Sequence, residues 1–191
     1  MSISRSLLLF PLLLLPAVIS AHEDIFHLDP YEVTGRSNPL LGETISAAQG
    51  LVHRVDLQNR PILRTGEILE TIPGFIATQH SGTGKANQYF LRGFNLDHGT
   101  DFSTFIDGMP VNMPTHGHGQ GWMDVNFLIP ELVDSIRYMK GPYYASVGDF
   151  SSAGSSHIST VDRLEDGLLV LNVGEDSFYR AVVADSLPLA G

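Results

Sequence analysis

The chain has 191 residues, 43% of them hydrophobic, a formal net charge of −10 and no cysteine. This composition excludes a disordered chain and a disulfide or thiolate-metal scaffold, and the acidic balance argues against nucleic acid as a partner. One domain with a real core and some residues to spare is the default.

Residues 1–21 read as a secretory signal: Arg5 supplies the positive start, 7–19 the apolar run, and Ile19-Ser20-Ala21 a small-residue exit. Pro11 and Pro16 interrupt the run, which is shorter than the roughly 18 apolar residues of a spanning helix, so it is read as removed. Losing Arg5 leaves 10 of the 11 Lys and Arg against 21 Asp and Glu, a net −11. Residues 22–36 form a polar lead-in to a short extended element, Pro30, Tyr31, Glu32, Val33, Thr34 and Gly35, in which Tyr31 and Val33 share a side. Such a segment can add itself as a strand to a partner's sheet, although an ordinary mobile tail looks the same. A linker with Pro39 follows over 37–49.

Leu51, His53, Val55 and Leu57 share one parity, which predicts a half-buried strand. Thr65 is placed to cap a helix carrying Glu67 in its first turn and Ile68, Leu69 and Ile72 on its apolar stripe, ending at Pro73-Gly74. A strand is predicted over 75–78. The run 80–85 (HSGTGK) imitates a phosphate loop, but Gln79 stands where the first glycine is required and Ala86 follows Lys85 in place of Ser or Thr.

From Asn87 onward, short apolar strands are punctuated by glycine. A strand over 89–94 bears Arg92-Gly93, and Asp107-Gly108 sits between 102–106 and 109–112 where a type I′ turn makes a tight hairpin. Pro110 cannot donate to a ladder and belongs at a sheet edge. Pro130 starts a short helix before a strand over 135–140, which Gly141-Pro142 terminates. Between them, 115–122 (THGHGQGW) places His116 and His118 on alternate residues, with Gln120 and the sole tryptophan, Trp122. In an extended segment His-x-His puts both rings on one side, a pattern that chelates zinc, copper or nickel, with His80, His98, Asp97, Asp101 or Asp124 as completing ligands. A glycine-rich loop whose imidazoles bond to nearby backbone is the other reading. There is no Gly-x-Ser-x-Gly elbow and no cysteine nucleophile, and a metallohydrolase would need later ligands from a large barrel. No enzyme and no cofactor is expected.

Arg92-Gly93, Asp107-Gly108 and Lys140-Gly141-Pro142, in that order and spacing, resemble the plug domain of TonB-dependent outer-membrane receptors, and ILETIPGF (68–75) is similar to the family's first plug helix. The resemblance implies an α+β fold, a small mixed β-sheet plug with short helices. It implies that residues 30–35 are a TonB box captured by the periplasmic protein TonB, and that Arg92 locks the plug to carboxylates on the inner barrel wall. His116, His118, Gln120 and Trp122 would then lie on an outward loop that meets cargo: a siderophore, another metal complex, cobalamin or similar. The chain departs from the family's usual Gly-Gly-Val-Ile-Asn run at 151–157 (SSAGSSH).

Residues 167–173 and 178–184, joined by 174–177, read as the first hairpin of a transmembrane barrel, which one hairpin cannot close. The expected division is signal 1–21, box and linker 22–49, plug 50–161 and barrel start 162–191. The expected setting is the outer membrane of a Gram-negative bacterium. The alternative is a stand-alone periplasmic plug module that binds metal or a partner.

Overall fold

A computed structural model describes residues 46–79 and 85–187, all within the unit Arg36–Gly191. The signal, the segment 30–35 and His80 lie outside the described residues.

Strand β1 (Gln49–His53) runs directly into a single helical turn, α1 (Arg54–Gln58). This corrects the strand expected over 51–57. The buried strand residue is Val52, from the opposite parity, while Val55 is exposed and Leu57 returns to the core only because the chain has coiled. The ladder stops for a local reason: β1 pairs with β7 only as far as His53↔Ser135, and β7 is irregular between Val133 and Ser135.

The apolar stripe Ile68, Leu69 and Ile72 is fully buried as expected, but Ile68 and Leu69 lie on a 3₁₀ helix, Thr65–Thr71, and Ile72 is the extended residue that ends it. Its cap is not Thr65. The Glu67 carboxylate reaches back to accept the amides of Leu63 and Arg64 at 3.1 and 3.2 Å, satisfying donors that the first turn leaves open. The chain then forms β2 (Phe75–Thr78), β3 (Gln88–Leu91) and β4 (Phe94–Asn95), an antiparallel sheet in the order β2-β3-β4. Arg92 and Gly93, with φ of 50° and 85°, are the two-residue turn between β3 and β4, not part of a continuous strand.

The main sheet has five strands in the order β1-β7-β8-β5-β6, from β5 (Phe102–Ile106), β6 (Met109–Pro110), β7 (Val133–Met139) and β8 (Gly154–Thr160). Only β5 and β8 run parallel, so the sheet is mixed as expected. Asp107-Gly108, φ 48° and 81°, makes the tight turn of the β5–β6 hairpin, and Pro110 lies on the edge strand. The Asp107 carboxylate accepts the amide and hydroxyl of Thr160 at 2.9 and 2.7 Å, bonds that hold its carboxyl below the usual range and tie the hairpin tip to the end of β8. Pro130 opens a 3₁₀ turn, Pro130–Leu132, as read from the sequence, and another, Ala145–Val147, precedes β8.

Small residues let the central strands close. A Cβ at Gly154, whose φ is +153°, would lie 2.3 Å from the Met139 carbonyl oxygen. The hydroxyls of Thr104 and Ser156, both buried, meet at 3.0 Å across the parallel pair. On the packed side, Phe75 stands edge-on to Phe102 with centroids 4.9 Å apart and against Tyr89 at 5.5 Å. Ile68, Leu69, Ile72, Ile136 and Ile158 complete the same cluster.

The last two strands, β9 (Leu168–Val173) and β10 (Tyr179–Ala184), form a separate antiparallel hairpin. Leu169 faces Val183 and Val173 faces Tyr179 across it, and these four side chains, with Leu171, are exposed. The other face carries the buried Val182 and Arg180. Arg180 makes a two-pronged ion pair with Glu131, at 2.5 and 2.7 Å, joining the hairpin to the 3₁₀ turn before β7. Among the described residues no helix is long and apolar enough to cross a membrane.

Two predictions follow from this packing. Ile136→Ala, at a fully buried site, is expected to cost about 2–5 kcal/mol in urea denaturation, whereas Leu171→Ala on the exposed face stays within about 0.5 kcal/mol in water. The Arg180 bonds hold the Glu131 carboxyl below its ordinary value. A depressed carboxyl contributes stability above its unfolded pKa and loses it as pH falls through the folded one. Protection of 168–184 from proteolysis is therefore expected to be constant around neutrality and to fall only below the ordinary glutamate range, and Glu131→Gln is expected to abolish that step.

Candidate functional site

The glycine-rich loop is a closed structure. Met113 and Trp122 form an isolated antiparallel bridge, with Met113 N–H donating to Trp122 O and Gly121 N–H to Met113 O, both at 2.8 Å. Just before it, Asn112 is buried and its amide is fully used. Its oxygen accepts the Thr104 amide at 2.8 Å, and its NH₂ donates to the carbonyls of Gly99, Phe102 and Gly121 at 3.0, 3.0 and 3.1 Å. One side chain thus binds β5, the turn at Gly99 and the end of the loop. Gly121, φ +78°, has no room for a Cβ, which would lie 2.7 Å from the Phe150 ring.

Within this frame His116 stacks on Trp122, centroids 4.3 Å apart and planes 16° from parallel, and its Nδ1 accepts the His118 amide at 3.2 Å. The His118 ring stands edge-on to Trp122 at 5.0 Å and to His98 at 4.6 Å. Gln120 contributes its carbonyl, which accepts the Thr100 hydroxyl at 3.2 Å. Desolvation, followed by the neighbouring His98, holds the His118 imidazole below its usual range.

His98 is the buried member of the group, 3% exposed. Its Nδ1 lies 2.9 and 3.1 Å from the carbonyls of Ala86 and Asn87, which can only accept, so Nδ1 carries a proton and donates. Asp97, at φ +47°, brings its carboxylate 3.6 Å from that Nε2. Among the described residues, Asp97, His98 and His118 place ligand-type atoms within 4.8 Å of one another. His118 is thus drawn toward Asp97 and His98, while His116 is engaged with Trp122 and the loop backbone. Asp124 accepts the Asn126 amide, and Asp101 bonds to the Ser152 hydroxyl.

Arg92 makes contacts the sequence did not announce. Its guanidinium donates to Lys140 O at 3.1 Å and Ala47 O at 3.3 Å, so its partners among the described residues are main-chain carbonyls. Lys140 N–H donates to Ala48 O, and the buried Lys140 ammonium donates to Pro73 O at 3.2 Å. Burial, then the nearby Arg92, holds that ammonium below its usual range. Two of the marks quoted separately from the sequence therefore meet at the entry to β1.

A family model of the TonB-dependent receptor plug domain matches residues 42–155. The chain belongs to this family. It is a receptor plug domain and not an enzyme. Among solved structures, a mutant of the ferric enterobactin receptor from Pseudomonas aeruginosa in complex with enterobactin is 22% identical, with 66% of this chain and 19% of that one covered and a TM-score of 0.50. The copper transporter OprC is 20% identical, with 72% and 21% covered and a TM-score of 0.55. These likenesses concern the fold, and the chain spans about a fifth of the length of the receptors it matches.

Neither Asn112 nor the Glu131–Arg180 pair carries a motif in the sequence. The available signal for Asn112 was a polar residue closing an otherwise apolar hairpin arm. Asn112→Ala is expected to cost about 1–3 kcal/mol by stranding the Thr104 amide. Its selective mark is faster hydrogen exchange at the Met113, Gly121 and Met123 amides, with the β7–β8 ladder still protected.

Proposed function

We propose that this chain is the plug portion of an outer-membrane receptor that takes up a scarce substrate, with energy supplied through TonB. The carrying observation is a plug sheet followed in the chain by a separate hairpin whose exposed face is apolar at Leu169, Leu171, Val173, Tyr179 and Val183. Such a face is out of place in water and suited to lipid once neighbouring strands cap its edges. A stand-alone periplasmic module has no use for it. The proposed division is signal 1–21, box and linker 22–49, plug 50–161 and barrel start 162–191, in a Gram-negative outer membrane.

In this reading TonB pairs with residues 30–35, Tyr31 and Val33 seating on one side of the added strand. A pull on that segment arrives at β1, an edge strand held by β7 alone within its sheet. Arg92, whose guanidinium grips Ala47 O at that entry, is proposed as the lock that resists the pull and that completes its pairing on the barrel wall. His116, His118, Gln120 and Trp122 form the loop surface offered to cargo. The matched receptors' names mention ferric enterobactin and copper, which supports a siderophore or other metal complex as the cargo class; cobalamin or a similar molecule is the other option.

The test is disulfide trapping between Tyr31→Cys in the whole receptor and cysteines in the C-terminal domain of TonB. Trapping is expected at Tyr31 and is expected to be lost when Val33→Pro is added, because proline removes a ladder donor. Trapping that Val33→Pro leaves untouched, or none at all, would sink the assignment of the box.

A further inference from the structure

We propose that Asp97, His98 and His118 form a binding site for one divalent transition-metal ion of the class that prefers imidazole, such as Zn²⁺, Ni²⁺ or Cu²⁺. This rests on the reading above only for the ion's onward route. The site itself belongs to the plug, so its test uses no TonB.

The first support is distance. An ion held by bonds of about 2.0–2.2 Å in tetrahedral geometry separates its ligand atoms by roughly 3.4 Å. Asp97 Oδ1 and His98 Nε2 already stand 3.6 Å apart. His118 lies inside the 4.8 Å spread of the group and needs to move by about an ångström, which an exposed side chain on a loop supplies.

The second support is orientation. A ligating histidine ordinarily donates its other ring N–H to a carbonyl or carboxylate, which fixes the tautomer and aims the lone pair. His98 meets that requirement at the carbonyls of Ala86 and Asn87. Its backbone is fixed as well: the Met123 amide donates to His98 O at 2.7 Å, and the amides of Gly99 and Thr100 both donate to Leu96 O. Gly99, φ +104°, admits no side chain, since a Cβ there would lie 2.4 Å from Met123 Cβ. His98 is therefore held by the fold, Asp97 is its neighbour in the chain, and His118 closes from solvent, an arrangement that lets an ion enter.

The third support is the donor set. Two imidazoles and one carboxylate are too few oxygens for Ca²⁺ or Mg²⁺, and with no cysteine in the chain there is no thiolate to select Cu(I). Three protein ligands leave at least one position open for water or for a chelator that arrives with the ion.

The site differs from the alternate pair His116 and His118 read in the sequence, and the difference is measurable. The purified, metal-stripped chain is titrated with ZnCl₂ by calorimetry and with Co²⁺ by visible absorption. One ion per chain and a tetrahedral-type Co²⁺ spectrum are expected. His118→Ala and Asp97→Asn, both at exposed positions, are each expected to weaken Zn²⁺ at least about tenfold, while His116→Gln weakens it by less than about threefold. His98→Ala is expected to abolish binding, with circular dichroism reporting whether the fold survives. Absence of stoichiometric binding at micromolar Zn²⁺ would overturn the proposal, as would binding that His118→Ala and Asp97→Asn leave unchanged. A loss in His116→Gln as large as in His118→Ala would move the site onto the loop pair and equally overturn it.

Discussion

The side-chain amide of Asn112 is the interaction on which the upper part of this plug depends. β6 is only two residues long, and past Pro110 the main chain adds a bond to the Thr104 carbonyl, from the Val111 amide at 2.8 Å, while the Thr104 amide turns to a side chain. The Asn112 oxygen takes over for the Thr104 amide, and its two N–H groups gather the carbonyls of Gly99, Phe102 and Gly121. A buried polar group is tolerable only when its bonds are made, and here all of them are. What would have been a frayed strand end becomes the fixed base of the loop that carries the histidines.

That base explains how a glycine-rich loop holds an ordered cluster of rings. The bridge between Met113 and Trp122 closes the loop at its neck, and Trp122 offers a face to His116 and an edge to His118. His98 arrives from a different part of the chain, locked by carbonyls on one side and by Met123 on the other. The buried half of the cluster is therefore a matter of backbone bonding, and the exposed half sits on the loop.

At the opposite edge of the main sheet a second set of bonds gathers around the entry to β1. Arg92, on a positive-φ turn, grips carbonyls from both the incoming segment and the end of β7, and Lys140 is anchored beneath it. The Glu131–Arg180 ion pair plays the corresponding part where the chain leaves toward the hairpin. Both attachments use charged donors, which make the stronger class of hydrogen bond.

Much of this was legible in the amino-acid order because it is local. Asp107-Gly108 demands a tight turn whatever surrounds it, Pro130 can open a turn but not continue a strand, and the buried trio Ile68, Leu69 and Ile72 shows in its spacing. The hairpin 168–184 shows in its alternation, and the plug signature lies in the order of three glycine-bearing dipeptides. Where local preference was weak, tertiary contact decided: the segment after His53 coiled where its pairing ends beside the irregularity between Val133 and Ser135 of β7, and Thr65–Thr71 took the tighter 3₁₀ form with Glu67 as its cap. Asp97 and His98 were among the candidates that the residue order offered beside the loop histidines, but which of the candidates meet His118 was beyond it. Asp97 and His98 lie some twenty positions before His118, and the Asn112 bonds, the Thr100–Gln120 bond and the Met123–His98 contact fold one onto the other. Turn chemistry and periodicity are properties of neighbours in the chain, so residue order alone determined them; the pairing of distant polar groups is settled by the closure of the sheet around them.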